Sequence, residues 1–339
     1  CIPARAVGSF WPFLVAYFIL TCGLSFLETT ANPYILLMGD RETATRRLNF
    51  AQSFNPIGSL AGMFVAMQFI QARLSPLDTA QRALLDESAF EALKQSDLAV
   101  LCRPYVLLSV VIVMLLAVML VVRVPALRKG THDNHSPLWP AVKRLWANRP
   151  YRSGGGAQFF YVGVQIMCWT FIIQYGTRVL MNEGMAEIDA EVMSQRYNIV
   201  AMAIFVTSRF ICTYFLKYIN AGALLGILAV AGALLTLGVI FIDGRTGLYC
   251  LVAISACMSL MFPTIYGIAL QGLGDDAKFG AAGLIMAILG GSVLPPLQAS
   301  IIDLQTLFGM PAVNVSFVLP LVCFLVIISY GWRTYQRTR

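Results

Sequence analysis

The chain has 339 residues, 58% of them apolar and only 12% charged, with a mean hydropathy of +0.73 and a formal net charge of +7. A soluble domain carries about 25% charged residues, so this composition excludes an ordinary soluble enzyme and points to a chain solvated by lipid. The basic residues sit in short connectors rather than on a polar domain, which argues against a nucleic-acid partner.

A membrane-spanning helix needs about 20 mostly apolar residues. Runs of that kind occur at approximately 11–38, 52–72, 104–122, 156–178, 196–218, 221–242, 246–271, 279–302 and 312–332, the pattern of an all-α polytopic membrane protein with nine candidate spans. When connectors are assigned alternately to opposite faces, one face collects 15 Lys/Arg and the other 8, while the carboxylates divide 5 and 11 in the opposite sense. The positive-inside rule makes the first face cytoplasmic and puts the C-terminus there. The eight cysteines fall mostly within the runs and form no CxxC pair, so they read as small core residues.

The N-terminus then falls outside, and the chain opens at Cys1 without an initiator Met. The basic connector 123–155 divides the spans three and six. Secondary transporters are commonly built from six-span halves of two three-span repeats, so the expectation is that three further spans precede Cys1. Residues 1–122 would be the second part of an N-terminal six-helix domain, 123–155 a cytoplasmic central loop, and 156–339 a C-terminal six-helix domain. No connector holds a GxxxxGK[ST] phosphate loop. The triple glycine at 154–156 lacks the lysine and reads as a flexible entrance to a span. Transport by such a chain would be driven by an ion gradient or run downhill.

In chain order, the first chemistry-bearing stretch is "FLETTANPY", residues 26–34. A charged carboxylate at the centre of a span costs about 2.5 to 3.5 kcal/mol, and such residues mark ion or proton paths. Burial disfavours the charged form, which would let Glu28 hold a proton when occluded and release it when opened. The alternative is a hydrogen-bonded structural carboxylate near a helix end. Asn32 lies one turn beyond on the same face. Pro33 clashes with the Thr29 carbonyl and supplies no N–H, a device suited to a polar cavity or simply to a packing kink.

The next span opens with "AQSFNPIGS", residues 51–59, where Gln52, Asn55 and Ser59 form a polar stripe. Amide side chains donate and accept, as sugar hydroxyls require; interhelical hydrogen bonding would use the same residues. In "YVGVQIMCW", residues 161–169, Tyr161, Gln165 and Trp169 recur every four residues, an aromatic platform with an amide for a small polyol. Core packing is the plainer use of the aromatics. "FPTIYG", 262–267, sets Phe262 and Tyr266 one turn apart around Pro263, and "GGSVLPP", 290–296, places two prolines in the following span. Broken helices of this kind point to a central site, although packing uses the same residues. Arg41 and Arg47 in "GDRETATRR", Asp275 and Asp276 in "GDDAK", and Arg209 near a span end are candidate inter-helix latches; plain positive-inside charge would also explain most of them. His132 and His135 lie in the central loop with no ligand set nearby, so no metal site is expected. An intramembrane enzyme would need a second catalytic group at the depth of Glu28, and none is visible.

At "FLETTANPY", "RLNFAQSFNPIGS", "YVGVQIMCWTFIIQYG" and "SLMFPTIYGIALQGLG" the chain closely resembles the fucose:proton symporter family of the major facilitator superfamily, over essentially its whole length. The resemblance implies the fourth to twelfth helices of a twelve-helix fold, nine of twelve being present. It also implies a bacterial inner-membrane permease working by alternating access, with a proton as coupling ion, no other cofactor, and a monomer as the unit in the bilayer. Glu28 matches the family's glutamate tied to proton coupling and sugar recognition, and Gln52 and Asn55 match polar cavity residues. Related hexose permeases carry Gln at the position of Glu28 and an acidic residue at that of Gln165, so this pairing favours L-fucose. Galactose, glucose or another sugar is the alternative cargo, and a non-transporting sugar sensor the alternative role. The family's essential first-helix acid is not in this chain, and Phe262 stands where fucose symporters have tyrosine.

Overall fold

A computed structural model of the chain describes residues 11–65, 69, 70, 73, 75, 81, 82, 85–122, 138–307 and 309–337. The histidines at 132 and 135 lie outside the described residues. So do the side chains of Arg41 and Asp275. The described residues are almost wholly helical, and eight segments are long and apolar enough to cross a membrane. Only the first part of the expected span 52–72, together with residues 69 and 70, falls within the described residues.

The chain divides into two compact units: residues 1–27 with 58–133, and residues 28–57 with 134–339. In the first, the early turns of α1 (Trp11–Leu37) meet α4 (Glu87–Val121), where Phe13 and Tyr105 pack edge to face with ring centroids 6.3 Å apart. Helix α4 begins at Glu87, well before the apolar run at 104, because the Asp86 side chain caps it by accepting from the Ala89 N–H at 3.3 Å. Its later turns expose Leu107, Leu115, Leu116, Leu120 and Val121, a surface suited to lipid rather than water.

The second unit carries the end of α1, then a 3₁₀ turn (Arg41–Thr43), α2 (Ala44–Gln52) and the start of α3 (Phe54–Val65). It continues with α5 (Leu138–Ala147), α6 (Arg149–Asn182), α7 (Glu187–Phe215), α8 (Ala221–Phe241), α9 (Arg245–Met258), α10 (Met261–Leu270), α11 (Ala277–Met286), α12 (Gly290–Ile302), α13 (Ala312–Ser316) and α14 (Val318–Arg337). A two-residue antiparallel pair, Thr306–Leu307 with Met310–Pro311, is the sheet structure among the described residues.

Helix α6 is the axis of this unit and packs against α7, α9, α10, α12 and α14. Small residues set the close approaches, as expected where lipid and protein interior are equally apolar. A Cβ on Gly290 would collide with the Phe159 carbonyl, and one on Gly331 would lie 3.0 Å from the Gly226 backbone, joining α12 to α6 and α14 to α8. The connector expected at 123–155 contains α5 and the first turns of α6, the latter capped by Asn148, which accepts from the Tyr151 N–H at 3.2 Å. The triple glycine is therefore inside a helix. Gly154 lies against Ala269 of α10, whereas Gly155 and Gly156 face open space.

Candidate functional site

The structure joins Asn32 and Gln52 directly: Gln52 Nε2 donates to Asn32 Oδ1 at 2.7 Å, tying the late turns of α1 to the end of α2. Asn32 is 3% exposed, and its Nδ2 has no hydrogen-bond partner among the described residues. A buried amide donor left unpaired costs about 1 to 3 kcal/mol. Glu28 lies one helical turn away and is half-buried. On α10, the Tyr266 hydroxyl is buried without a hydrogen-bond partner among the described residues.

The aromatic residues expected on α6 and α10 are brought together. Phe262 and Tyr266 stack, with ring planes 14° apart and centroids at 6.3 Å, and Tyr161 lies 6.2 Å from Phe262. Tyr161, however, is fully buried, and its hydroxyl donates to the Met258 carbonyl at 3.0 Å, at the end of α9. Trp169 donates from Nε1 to Ser255 Oγ at 3.3 Å and meets Phe205 edge to face at 4.9 Å. Gln165 is half-buried and makes no hydrogen bond among the described residues, so its amide is available. Asn55 is exposed on the first turn of α3.

A second polar seam joins α2 to α10. Asn49 is fully buried and donates from Nδ2 to the Thr45 carbonyl at 2.9 Å and to Thr264 Oγ1 at 3.1 Å. Just past the end of α10, Gln271 donates to Thr45 Oγ1 at 3.4 Å, and Gly267 leaves room for the Thr45 side chain. The nearest sequence signal was the polar period Thr45, Asn49, Gln52. A cleft of about 790 Å³ lies beside this seam, lined by Thr45, Arg46, Asn220 and Gln271 among others, and it holds none of the residues expected to bind a polyol.

The candidate latches divide by chemistry. Arg47 donates to the Ile35, Leu36 and Asp40 carbonyls at 3.2, 3.0 and 3.2 Å and to Thr43 Oγ1 at 2.7 Å, so it caps the C-terminal end of α1. Asp276 forms a bidentate ion pair with Arg144 of α5, at 2.8 and 2.7 Å, a partner the sequence did not identify. Arg144 holds the Asp276 carboxyl below the usual carboxylate range. Arg209 is 5% exposed and meets no carboxylate within ion-pair distance among the described residues. It donates from Nε to the Ser259 carbonyl at 2.5 Å and from Nη1 to the Gln52 carbonyl at 3.0 Å, with its guanidinium 4.6 Å from the Phe205 ring centre.

No protein-family model matches the chain. Over 347 residues it is 51% identical to the L-fucose-proton symporter of Haemophilus influenzae, covering 98% of this chain and 79% of that protein. The chain belongs to the L-fucose-proton symporter family. A glucose/galactose transporter of Brucella abortus is 28% identical over 331 residues, covering 97% of this chain and 73% of that one. Among solved structures, a major facilitator superfamily transporter, FucP, in the outward conformation, superposes with a TM-score of 0.87 at 27% identity, covering 98% of this chain and 78% of its own. The fold is that of the major facilitator superfamily.

Proposed function

We propose that this chain carries a monosaccharide, L-fucose, across the bacterial inner membrane together with a proton, by alternating access. The observation that carries the reading is the Gln52–Asn32 pair, one turn from Glu28, with a buried Asn32 amide donor that has no partner among the described residues. It supports a reading in which sugar-type hydrogen bonding between α1 and α2 lies one turn from an ionisable group on α1, so that cargo and proton share a path. Glu28 is the protonatable coupler. Asn32, Gln52, Asn55 and Gln165 address the sugar hydroxyls, and Phe262, Tyr266 and Trp169 supply the flat apolar wall. The protein is a carrier rather than an enzyme, needs no cofactor beyond the proton, acts as a monomer, and keeps its C-terminus in the cytoplasm. Its domains divide at the 123–155 connector, with the Asn49–Thr264 seam toward the cytoplasmic end.

The test is uptake by the intact protein in proteoliposomes. Addition of L-fucose should alkalinise the external medium, and uptake of labelled fucose should be blocked by the unlabelled sugar. Accumulation without proton movement would remove the coupling, and failure of cold fucose to compete would remove the cargo. Glucose or galactose is the second reading, favoured by the identity to a glucose/galactose transporter and by the absence of a hydroxyl at Phe262. The same competition panel decides between them.

A further inference from the structure

Two of the helix breaks beside the site share one cause and one remedy. Within a helix, the N–H of residue i takes the carbonyl of residue i−4, and a proline at i leaves that carbonyl without its donor. Pro56, in the first turn of α3, has no N–H for the Gln52 carbonyl, and α2 ends at Gln52. Pro263, in the first turn of α10, has none for the Ser259 carbonyl, while the next residue, Thr264, bonds in normal register to the Leu260 carbonyl at 3.3 Å. Both released acceptors are bound by the same side chain, Arg209, at 3.0 and 2.5 Å.

We infer that Arg209 is a positioning residue that holds, with one guanidinium, the two backbone carbonyls released by Pro56 and Pro263. In doing so it fixes the spacing between the two broken helices that carry Gln52 and Asn55 on one side and Phe262 and Tyr266 on the other. Burying a cation without a counter-ion is costly. The two charge-assisted hydrogen bonds and the Phe205 ring face offset that cost. A planar fork with five donors serves two separated acceptors at once, whereas a lysine presents a point charge. The inference deepens the transport reading above and rests on it for its kinetic readout, but the clamp has a second readout that needs no sugar.

The experiment compares Arg209→Gln, Arg209→Lys and the triple variant Arg209→Gln/Pro56→Ala/Pro263→Ala in the intact protein. The triple variant returns a helical N–H to each carbonyl while removing the tie between them. Hydrogen exchange, read without sugar, should rise together over 44–57 and 259–270 in Arg209→Gln. In transport, Arg209→Gln should raise the sugar KM at least ten-fold, with a smaller fall in kcat, and Arg209→Lys should lie between it and the parent. The triple variant should recover thermal stability yet keep the raised KM. If it recovers both, Arg209 merely fills orphan acceptors and the positioning role is overturned. Unchanged exchange in Arg209→Gln overturns the clamp itself, and an Arg209→Lys variant with parental KM and exchange does the same even where Arg209→Gln fails to insert. A parent protein that moves no fucose, but whose exchange pattern responds as described, would refute the cargo and leave the clamp standing.

Discussion

At the scale of single residues, the proposed site is marked by polar groups that lack partners. Among the described residues, Asn32 has one amide atom bonded and one without a partner, Gln165 has none bonded, and the buried Tyr266 hydroxyl has no acceptor. Each would be a defect in an ordinary core, where buried polar groups are almost always paired; in the proposed site each would be a place for a sugar hydroxyl. Glu28 differs because it can change charge, and a Glu28→Gln substitution keeps the size and hydrogen bonding of the side chain while removing the exchangeable proton. Sugar exchange between two equal pools should persist within a few-fold, since exchange requires only that the loaded carrier reorient. Net accumulation against a gradient should disappear. Parallel counterflow and proton-driven uptake assays on the same proteoliposomes would check this, and retained uphill accumulation would assign the coupling elsewhere.

At the scale of elements, helix spacing is set by glycines whose use the one-dimensional pattern hides. In the run 154–156, a Cβ on Gly154 would meet the Ala269 Cβ at 2.5 Å and the Tyr330 hydroxyl at 3.1 Å, while Gly155 has nothing within 4 Å. Gly154 therefore determines how closely α6 approaches α10, the helix that presents Phe262 and Tyr266. Gly154→Ala should destabilise the protein by about 1 to 3 kcal/mol through overpacking. It should also weaken sugar binding, because α10 must shift. Gly155→Ala, one residue away, should be neutral or stabilising by up to about 1 kcal/mol, from the better helix propensity of alanine. Thermal unfolding in detergent, together with a sugar-binding titration, would separate the two; equal effects of both substitutions would show that helix propensity rather than the Ala269 contact governs the site.

For the molecule as a whole, the membrane spans, the lone carboxylate and the proline breaks were legible in the sequence, because composition, charge and a missing N–H act locally. Partners were not legible. Pro56 and Pro263 announce which carbonyls are orphaned, but nothing in one dimension says that Arg209 will hold both, and Arg144 lies 132 residues from Asp276. The polar start of α4 was equally hidden, since a capped helix can begin without apolar residues. The Arg144–Asp276 pair also makes the pH response of the whole protein divisible. Because Arg144 depresses the Asp276 carboxyl below the ordinary aspartate value of 3.8, the stability it adds is fully present above that value and is lost as pH falls through the lower, folded one. Asp276→Asn should therefore lower Tm slightly at pH 7, by a margin limited by the exposure of Arg144, and the difference should close on acidification toward pH 3. Between pH 5 and 8 this pair stays ionised, so any change of fucose uptake with pH in that range must come from another group, for which Glu28 is the candidate. Asp276→Asn should leave the shape of the uptake–pH profile unchanged, whereas Glu28→Gln should flatten it. A shifted profile in Asp276→Asn would instead make the α5 ion pair part of the proton-coupled cycle.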